Sequence, residues 1–260
     1  MINRIRCLRV LAVVVAMLAC AVAAVSAEEP HKLRFLVMSP HTDDAEFAVG
    51  GLVVLLVREG HDVTIANMSG GDGIAAKTKK LLGVKTVEWL GFKDMAIDET
   101  PENRAKVAKY LDSKRPDVIF APWPIDGHPD HRGTGCLAID YVNNRQLSLG
   151  EEVRQLPKDY CPQLYFYEVM SGHQTRSFRP DTYVDLPADI VEIKKRAMNA
   201  YNDGPYIAAA VKQALTMLSF RGMESGVNAW ADMDRGVWAE AFATFPVAKG
   251  QRRIQLPHQK

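Results

Sequence analysis

Residues 33–60 read LRFLVMSPHTDDAEFAVGGLVVLLVREG and decide the fold. The apolar run Leu33–Ser39 predicts a short strand that ends at Pro40. Asp44–Glu59 then predicts a helix that Gly60 stops, and apolar residues on nearly every side of this helix predict that it is buried. A strand that passes directly into a buried helix favours a parallel sheet covered by helices.

The same alternation continues along the chain. Further strands are predicted at Asp62–Met68, Thr86–Leu90, Val118–Ala121, Leu164–Val169 and Tyr183–Leu186. Helices are predicted from Thr100-Pro101 to the residue before Arg115, from His131 to about Asn143, at Pro187–Ala200 and around Val237–Phe242. We therefore expect an α/β fold, a Rossmann-like three-layer sandwich whose mostly parallel sheet has helices on both faces.

The N-terminus has the pattern of a secretory signal peptide over residues 1–27. A basic leader precedes the apolar run Val10–Ala24, and small residues follow up to a cleavage point after Ala27. A membrane anchor is the alternative, but the run is shorter than the ~20 residues that a spanning helix needs. A lipid anchor on Cys20 ranks lower. We expect export to the periplasm or outside the cell, and a single domain over residues 28–260.

Composition narrows the classes of function. Apolar residues make up 47% of the chain, so a full core is feasible. The net charge is +1 and no run of Lys or Arg suggests a nucleic-acid surface, so we expect no nucleic-acid partner. No later segment is apolar enough for a membrane span. Cys136 and Cys161 remain after cleavage and could either pair or stay as buried free thiols.

Two polar clusters follow predicted strands, and each begins a helix. They are residues 41–44 (His-Thr-Asp-Asp) and 128–131 (His-Pro-Asp-His). Ligands of open parallel sheets bind beyond the carboxyl ends of the strands, so both clusters should meet at one edge. Two imidazoles and one carboxylate, with a position left for water, form the ligand set of a catalytic divalent ion, so the two clusters predict a metal site. The alternative for Asp44 is a plain helix N-cap, although two adjacent aspartates are costly without a nearby cation.

Other motifs carry weaker signals. Gly50-Gly51 inside the first helix indicates tight packing against the sheet. Ser69–Gly73 lacks the spacing of a phosphate-binding loop and is expected to form a flexible wall of the pocket. His61 opens a strand and is expected to be structural. His173, in a loop, is a weaker candidate for the site.

At these clusters the chain resembles the LmbE-like (PIG-L) deacetylase family. The family's first motif, Ala-His-Pro-Asp-Asp-Ala/Glu-Glu, is largely matched by Pro40–Glu46, and its His-x-Asp-His motif is matched in full by His128–His131. Shorter likenesses cover Met68–Gly73, residues 82–84 and 90–92, and Ala239–Phe242.

The resemblance implies a role for each matching residue. His41, Asp44 and His131 would ligate Zn²⁺, with Fe²⁺ or another divalent ion as alternatives. Asp43 would be the general base that deprotonates water. His128 would polarise the acetyl carbonyl or stabilise the oxyanion, and Asp130 would orient an imidazole.

The chain also departs from the family pattern around the substrate. Thr42 replaces the usual Pro, and Gly70 replaces a frequent Arg. The stretch Ile74–Lys80 is shorter than the family's Arg-bearing segment, and Tyr201-Asn202-Asp203 stands where His-x-Ser-Gln often occurs. The catalytic centre is therefore expected to be intact and the sugar-binding wall altered.

The hypothesis from sequence is a hydrolase that removes the acetyl group from an N-acetylglucosamine-type sugar or glycoconjugate, a small-molecule partner. One rival is a non-haem iron enzyme, since two imidazoles and a carboxylate also suit Fe(II). Asp43 argues against it, because a water-activating base has a role in hydrolysis. The other rival is a non-catalytic metal-bearing binding protein, which would have no use for Asp43 and His128.

Overall fold

A computed structural model describes residues 32–71, 75–147, 160–170, 174–201, 204–226 and 237–260. Seven strands form one sheet in the order β3-β2-β1-β4-β5-β7-β6. The strands are β1 (Arg34–Ser39), β2 (Asp62–Asn67), β3 (Thr86–Trp89), β4 (Val118–Pro122), β5 (Gln163–Tyr167), β6 (Thr182–Asp185) and β7 (Ala239–Thr244).

The five neighbouring strands β3, β2, β1, β4 and β5 are all parallel to one another. β1 pairs with β2 over six residues and with β4 on its other side, and β4 pairs with β5. Such strands are covered on both faces and are therefore nearly continuous apolar runs, as β1 and β4 are. The predicted strands are confirmed, with ends that shift by one or two residues.

Helices cover both faces of the sheet. They are α1 (Asp44–Arg58), α2 (Ala75–Leu82), α3 (Pro101–Lys114), α4 (Pro129–Leu147), α5 (Ala188–Asn199) and α6 (Gly204–Glu224). Alternate side chains of β1 enter two different cores. Phe35 and Val37 lie in the core that includes α1, α5 and α6, whereas Leu36 and Met38 lie in the core that includes α3 and α4. The three-layer α/β prediction is confirmed.

The prediction of a helix around Val237–Phe242 is wrong. Residues 239–244 form β7, which pairs antiparallel with β5 and β6. Ala and Glu favour helices in isolation, but here nearly the whole segment is buried and its backbone completes a sheet. Glu240 is tolerated there because it forms an ion pair with buried Lys194 at 2.6 Å.

Smaller differences concern helix starts and unforeseen helices. α4 begins at Pro129, so His131 lies within its first turn rather than at its start. The short α2 and the long α6 were not predicted. The predicted N-cap of α3 is confirmed, since Thr100 accepts a hydrogen bond from Asn103 N–H at 3.3 Å.

Two open questions from the sequence find answers in the packing. A Cβ at Gly51 would lie 2.5 Å from a methyl carbon of Leu186, so the glycine serves close packing of α1, as expected. Cys136 and Cys161 are free thiols and do not pair.

The predictions for the N-terminus concern residues that the structure does not describe. The predicted signal peptide over residues 1–27 and the anchor at Cys20 lie outside the described residues. In the part of the chain that the structure describes, no helix combines the length and the apolar character needed to cross a bilayer.

Candidate metal centre

The loop between β1 and α1 folds back on itself through short polar contacts. The Ser39 hydroxyl donates to the His41 carbonyl at 2.6 Å and accepts from Ala45 N–H at 3.1 Å. The backbone N–H of His41 donates to Asp44 Oδ2 at 2.9 Å. These bonds turn the His41 imidazole towards the first turn of α1, where Asp44 begins the helix.

The predicted ligands converge on one carboxylate oxygen. Asp44 Oδ2 lies 3.1 Å from His41 Nδ1 and 3.4 Å from His131 Nε2. Asp44 and His131 are both buried, and His41 is half-buried. Residues that are 87 positions or more apart in sequence therefore meet at the carboxyl edge of the sheet, as the strand-end argument predicted.

A third imidazole joins this cluster. Ligand nitrogens of His41, His128 and His131 lie within 4.8 Å of one another. The ring centroid of His128 is 4.6 Å from that of His41 and 4.7 Å from that of His131. The structure thus brings all three histidines of the two motifs together.

The electrostatic field at this cluster favours positive charge. Burial disfavours the imidazolium form of His41, but Asp44 and Asp130 together outweigh this effect and raise the pKa of His41 to about 9. Burial acts in the same direction on His131, and Asp44 and Asp126 together raise the pKa of His131 to about 10. The same two histidines hold the pKa of Asp44 well below its usual range, against the effect of burial. Such a field suits a cation.

Asp43 has a different environment from its neighbour. It is the N-cap residue of α1, yet its side chain makes no capping hydrogen bond. Burial and the nearby charge of Asp44 raise the pKa of Asp43 to about 6. A carboxylate with this pKa can take up and release a proton near neutral pH. The N-cap alternative considered for Asp44 is therefore wrong. Asp43 occupies the N-cap position instead, and its side chain does not cap the helix.

His128 is arranged as a neutral donor. Its Nδ1 accepts a hydrogen bond from Asp130 N–H at 3.2 Å, so in the neutral ring the proton sits on Nε2. Burial and the charges of His131 and His41 lower the pKa of His128. The ring can then donate from Nε2 to an oxygen that becomes negative during a reaction.

Asp130 lies behind His41. Its Oδ2 is 3.1 Å from His41 Nε2, and its two oxygens accept backbone N–H groups of Met95 at 2.8 Å and Ile97 at 3.0 Å. The side chain has no exposed surface. Asp130 thus contacts the nitrogen of His41 opposite to the one that faces Asp44. Exposed Asp94 also approaches this nitrogen, at 3.3 Å.

Asp126 is the member of the site that sequence reasoning missed. Its Oδ1 lies 3.2 Å from His131 Nδ1 and accepts His128 N–H at 2.8 Å, and its Oδ2 accepts the Thr175 hydroxyl at 2.8 Å. In the sequence Asp126 directly precedes Gly127, a pair that is typical of a turn. The available signal was its place four residues after a buried strand, at the same edge as the other aspartates.

Three weaker candidates from the sequence have different outcomes. His61 Nδ1 accepts Leu33 N–H at 3.3 Å at the opposite edge of the sheet, in agreement with a structural role. His173 lies outside the described residues. Of the predicted pocket wall Ser69–Gly73, the first three residues are described, and Ser69 is buried with its hydroxyl bound to the Pro40 carbonyl at 2.9 Å.

Comparisons with known proteins identify similar sequences. The sequence model of the PIG-L family, described as GlcNAc-PI de-N-acetylase, matches residues 74–142. A diacetylchitobiose deacetylase from Thermococcus kodakarensis is 27% identical over 192 residues, which cover 65% of this chain and 68% of the relative.

Solved structures share the fold. N,N′-diacetylchitobiose deacetylase from Pyrococcus horikoshii is 24% identical and superimposes with a TM-score of 0.66 over 88% of this chain and 92% of its own. GalB, the 4-carboxy-2-hydroxymuconate hydratase of Pseudomonas putida KT2440, reaches a TM-score of 0.64 at 18% identity, over 85% of this chain and 100% of its own. Because these two proteins have different activities, the reaction must be argued from side chains.

The matched segment 74–142 contains the second histidine motif and the strand that leads to it. The first motif lies beside it in space, as the distances around Asp44 show. Residues 74–142 of the chain therefore match the PIG-L (LmbE-like) family model, and the chain is similar in sequence to a deacetylase.

Proposed function

We propose that this protein is a metal-dependent hydrolase that removes the acetyl group from an N-acetylglucosamine-type sugar or glycoconjugate. The observation that carries the proposal is the convergence of His41 and His131 on Asp44, with Asp43 and His128 at its margin. Hydrolysis of an amide needs a base for water and a donor for the carbonyl oxygen, and these two residues supply them.

The residues present fit a divalent ion. Two imidazole nitrogens lie within 3.4 Å of one carboxylate oxygen, and the surrounding aspartates raise the pKa of both rings, so the site attracts positive charge. His41, Asp44 and His131 would hold the ion, and Zn²⁺ is the first choice for this set. When bound, the ion would supply Lewis acidity to water and to the amide carbonyl.

The protein's own groups then divide the remaining work. Asp43 accepts the proton of the attacking water and later delivers it to the amine as the C–N bond breaks. His128 donates its Nε2 proton in a hydrogen bond to the carbonyl oxygen while negative charge develops there. Asp130 and Asp126 hold the rings of His41 and His131 in orientation. Acetate and a free amine are the products.

Two further parts of the proposal concern substrate and location. The sugar substrate is supported by the Thermococcus relative, which is named for its action on diacetylchitobiose. Export to the periplasm or outside the cell is supported by the signal-peptide pattern of residues 1–27. The substrate would then be a sugar or glycoconjugate that lies outside the cytoplasm.

The test is amine release from a panel of N-acetyl sugars, including N-acetylglucosamine and diacetylchitobiose. The protein is assayed as prepared, after chelation, and after Zn²⁺ or Fe²⁺ is restored. Release that stops on chelation and returns with metal supports the proposal. A protein that binds metal and releases no amine from any member would favour the non-catalytic alternative, and oxygen consumption with Fe²⁺ would favour the iron enzyme.

A further inference from the structure

The loop from Ser39 to Asp43 carries a ligand and the proposed base, so its backbone hydrogen bonds decide how well both are held. Buried carbonyl groups need donors, and each one in this loop has one. Four of the five carbonyls accept from backbone N–H groups or serine hydroxyls: Met68 N–H donates to Ser39 (2.7 Å), Ser69 N–H and Oγ to Pro40 (3.0 and 2.9 Å), Ser39 Oγ to His41 (2.6 Å) and Phe47 N–H to Asp43 (3.1 Å).

The fifth carbonyl is held from a distant part of the chain. The Tyr201 hydroxyl donates to the carbonyl oxygen of Thr42, 159 residues away in sequence. Thr42 stands directly between His41 and Asp43. The peptide group that accepts this bond is therefore the one that joins Thr42 to the proposed base.

Tyr201 is itself attached to a fixed element. It follows the end of α5, and its half-buried ring packs with Met198 and Phe47. Earlier in α5, Lys194 donates to the Ala48 carbonyl of α1 at 3.1 Å and pairs with Glu240. Two residues thus connect the α5 region to the α1 region. Lys194, in the middle of α5, contacts α1 itself, and Tyr201, just after α5, contacts the loop just before α1.

The other side of Thr42 faces a glycine with a left-handed backbone. Gly70 has a φ of +90°, and a Cβ there would lie 2.9 Å from Thr42 Cγ2. Thr42 is therefore enclosed between Gly70 and Tyr201. The hydrogen bond at its carbonyl restrains the orientation of the peptide group that follows Thr42.

We propose that Tyr201 is a positioning residue that fixes the peptide between Thr42 and Asp43, and so sets the relative placement of His41 and Asp43. The effect on turnover rests on the proposed function, whereas the effect on metal binding does not. Tyr201 acts through the loop and need not touch substrate.

The test compares Tyr201→Phe with Tyr160→Phe. The second change is a matched control, because Tyr160 is also half-buried and its hydroxyl donates to a distant backbone carbonyl, that of Pro116 at 2.8 Å, at the opposite edge of the sheet. Zn²⁺ affinity is measured by competition with a chromogenic chelator, and kcat and KM are measured on the substrate found above.

For Tyr201→Phe we expect Zn²⁺ to bind about tenfold more weakly, as for other partners that orient ligands. We expect kcat to fall about tenfold and KM to stay within about twofold, because the base is displaced and the sugar contacts are not. Tyr160→Phe should leave both quantities at wild-type values. A Tyr201→Phe protein with unchanged metal affinity and kcat would overturn the proposal.

A further variant sharpens the assignment. Hydrogen bonding between Tyr201 and buried Glu46 offers a second route for the effect. If Glu46→Gln reproduced the loss seen in Tyr201→Phe, that route would replace the one through Thr42.

If the wild-type protein releases no amine from any sugar, the proposed function fails while the metal-affinity comparison still decides the role of Tyr201. Weaker Zn²⁺ binding in Tyr201→Phe alone would then support positioning.

Discussion

The two edges of the sheet both carry histidines and carboxylates, but they arrange them differently. At the amino edge, His61 lies 3.6 Å from exposed Glu59, and Arg34 pairs with Asp117 beside a cavity of about 370 Å³. At the carboxyl edge, the side chains of Asp126 and Asp130 are wholly buried, and His131 is 2% exposed.

The difference lies in the balance of charge and in burial. Each acidic group named at the amino edge has a basic partner and contact with solvent, and such pairs contribute about 0–1 kcal/mol. At the carboxyl edge, His41 and His131 are surrounded by the four aspartates Asp43, Asp44, Asp126 and Asp130. The excess of negative charge is shielded from water. A buried site of this kind calls for a cation, whereas the amino edge does not. Residue type alone would not separate the two regions.

The largest expected effect follows removal of a ligand at the carboxyl edge. Asp44→Ala should lose the metal and all metal-dependent activity, because both imidazoles face this carboxylate. Elemental analysis after gel filtration measures the bound metal. The matched change at the amino edge is Glu59→Ala, which removes the carboxylate near His61 and should leave metal content unchanged. Equal metal content in the two variants would show that the edges do not differ as described.

Removal of the proposed base should separate binding from chemistry. Asp43→Asn is expected to keep its metal and to lose about 10²–10⁴-fold in kcat, the usual contribution of a general base. The measurement is kcat alongside metal content. Asp117→Asn, an isosteric change of an aspartate at the amino edge, serves as control. Wild-type turnover in Asp43→Asn would remove Asp43 from the mechanism.

A smaller effect is expected for a residue that contacts a proposed ligand and not the metal itself. Asp126→Asn weakens the support of His131 Nδ1, and we expect metal affinity to fall about 10–100-fold, as for other groups that orient ligands. Competition with a chelator measures this affinity. His61→Gln provides the comparison at the amino edge. If both variants bound Zn²⁺ as tightly as the wild type, Asp126 would only stabilise its own turn.

The smallest effect belongs to the exposed pair at the amino edge. Arg34→Ala removes a partner of Asp117, and we expect the free energy of unfolding to fall by at most about 1 kcal/mol. Urea unfolding measures this change, and metal content should stay constant. A loss of several kcal/mol would mean that this edge is energetically closer to the buried site than its exposure indicates.

Much of the site was predictable because strand ends share an edge. His41, Asp44 and His131 directly follow or closely follow buried strands, and parallel topology alone brings them together. Asp126 escaped notice because an aspartate before glycine is also an ordinary turn signal. Its function depends on the direction of its side chain, which spacing does not reveal.

The errors have a common physical origin in long-range contacts. The helix predicted around Val237–Phe242 is wrong because Ala and Glu favour a helix only locally, whereas pairing with β5 and β6 and the Lys194 contact of Glu240 decide in favour of a strand. Tyr201 was noted only as a departure from the family pattern. Its hydrogen bond to Thr42 joins residues that are 159 positions apart, so no local pattern in the sequence indicates it.

The most direct test of the account is a titration of metal-free protein with Zn²⁺ while amine release from an N-acetyl sugar is followed. We predict that activity rises with each addition until one ion per chain is bound and then stays level. Asp43→Asn should take up the same amount of metal and remain inactive. Amine release by the metal-free protein, or full activity of Asp43→Asn, would contradict the assignment of a metal-dependent hydrolase to the carboxyl edge.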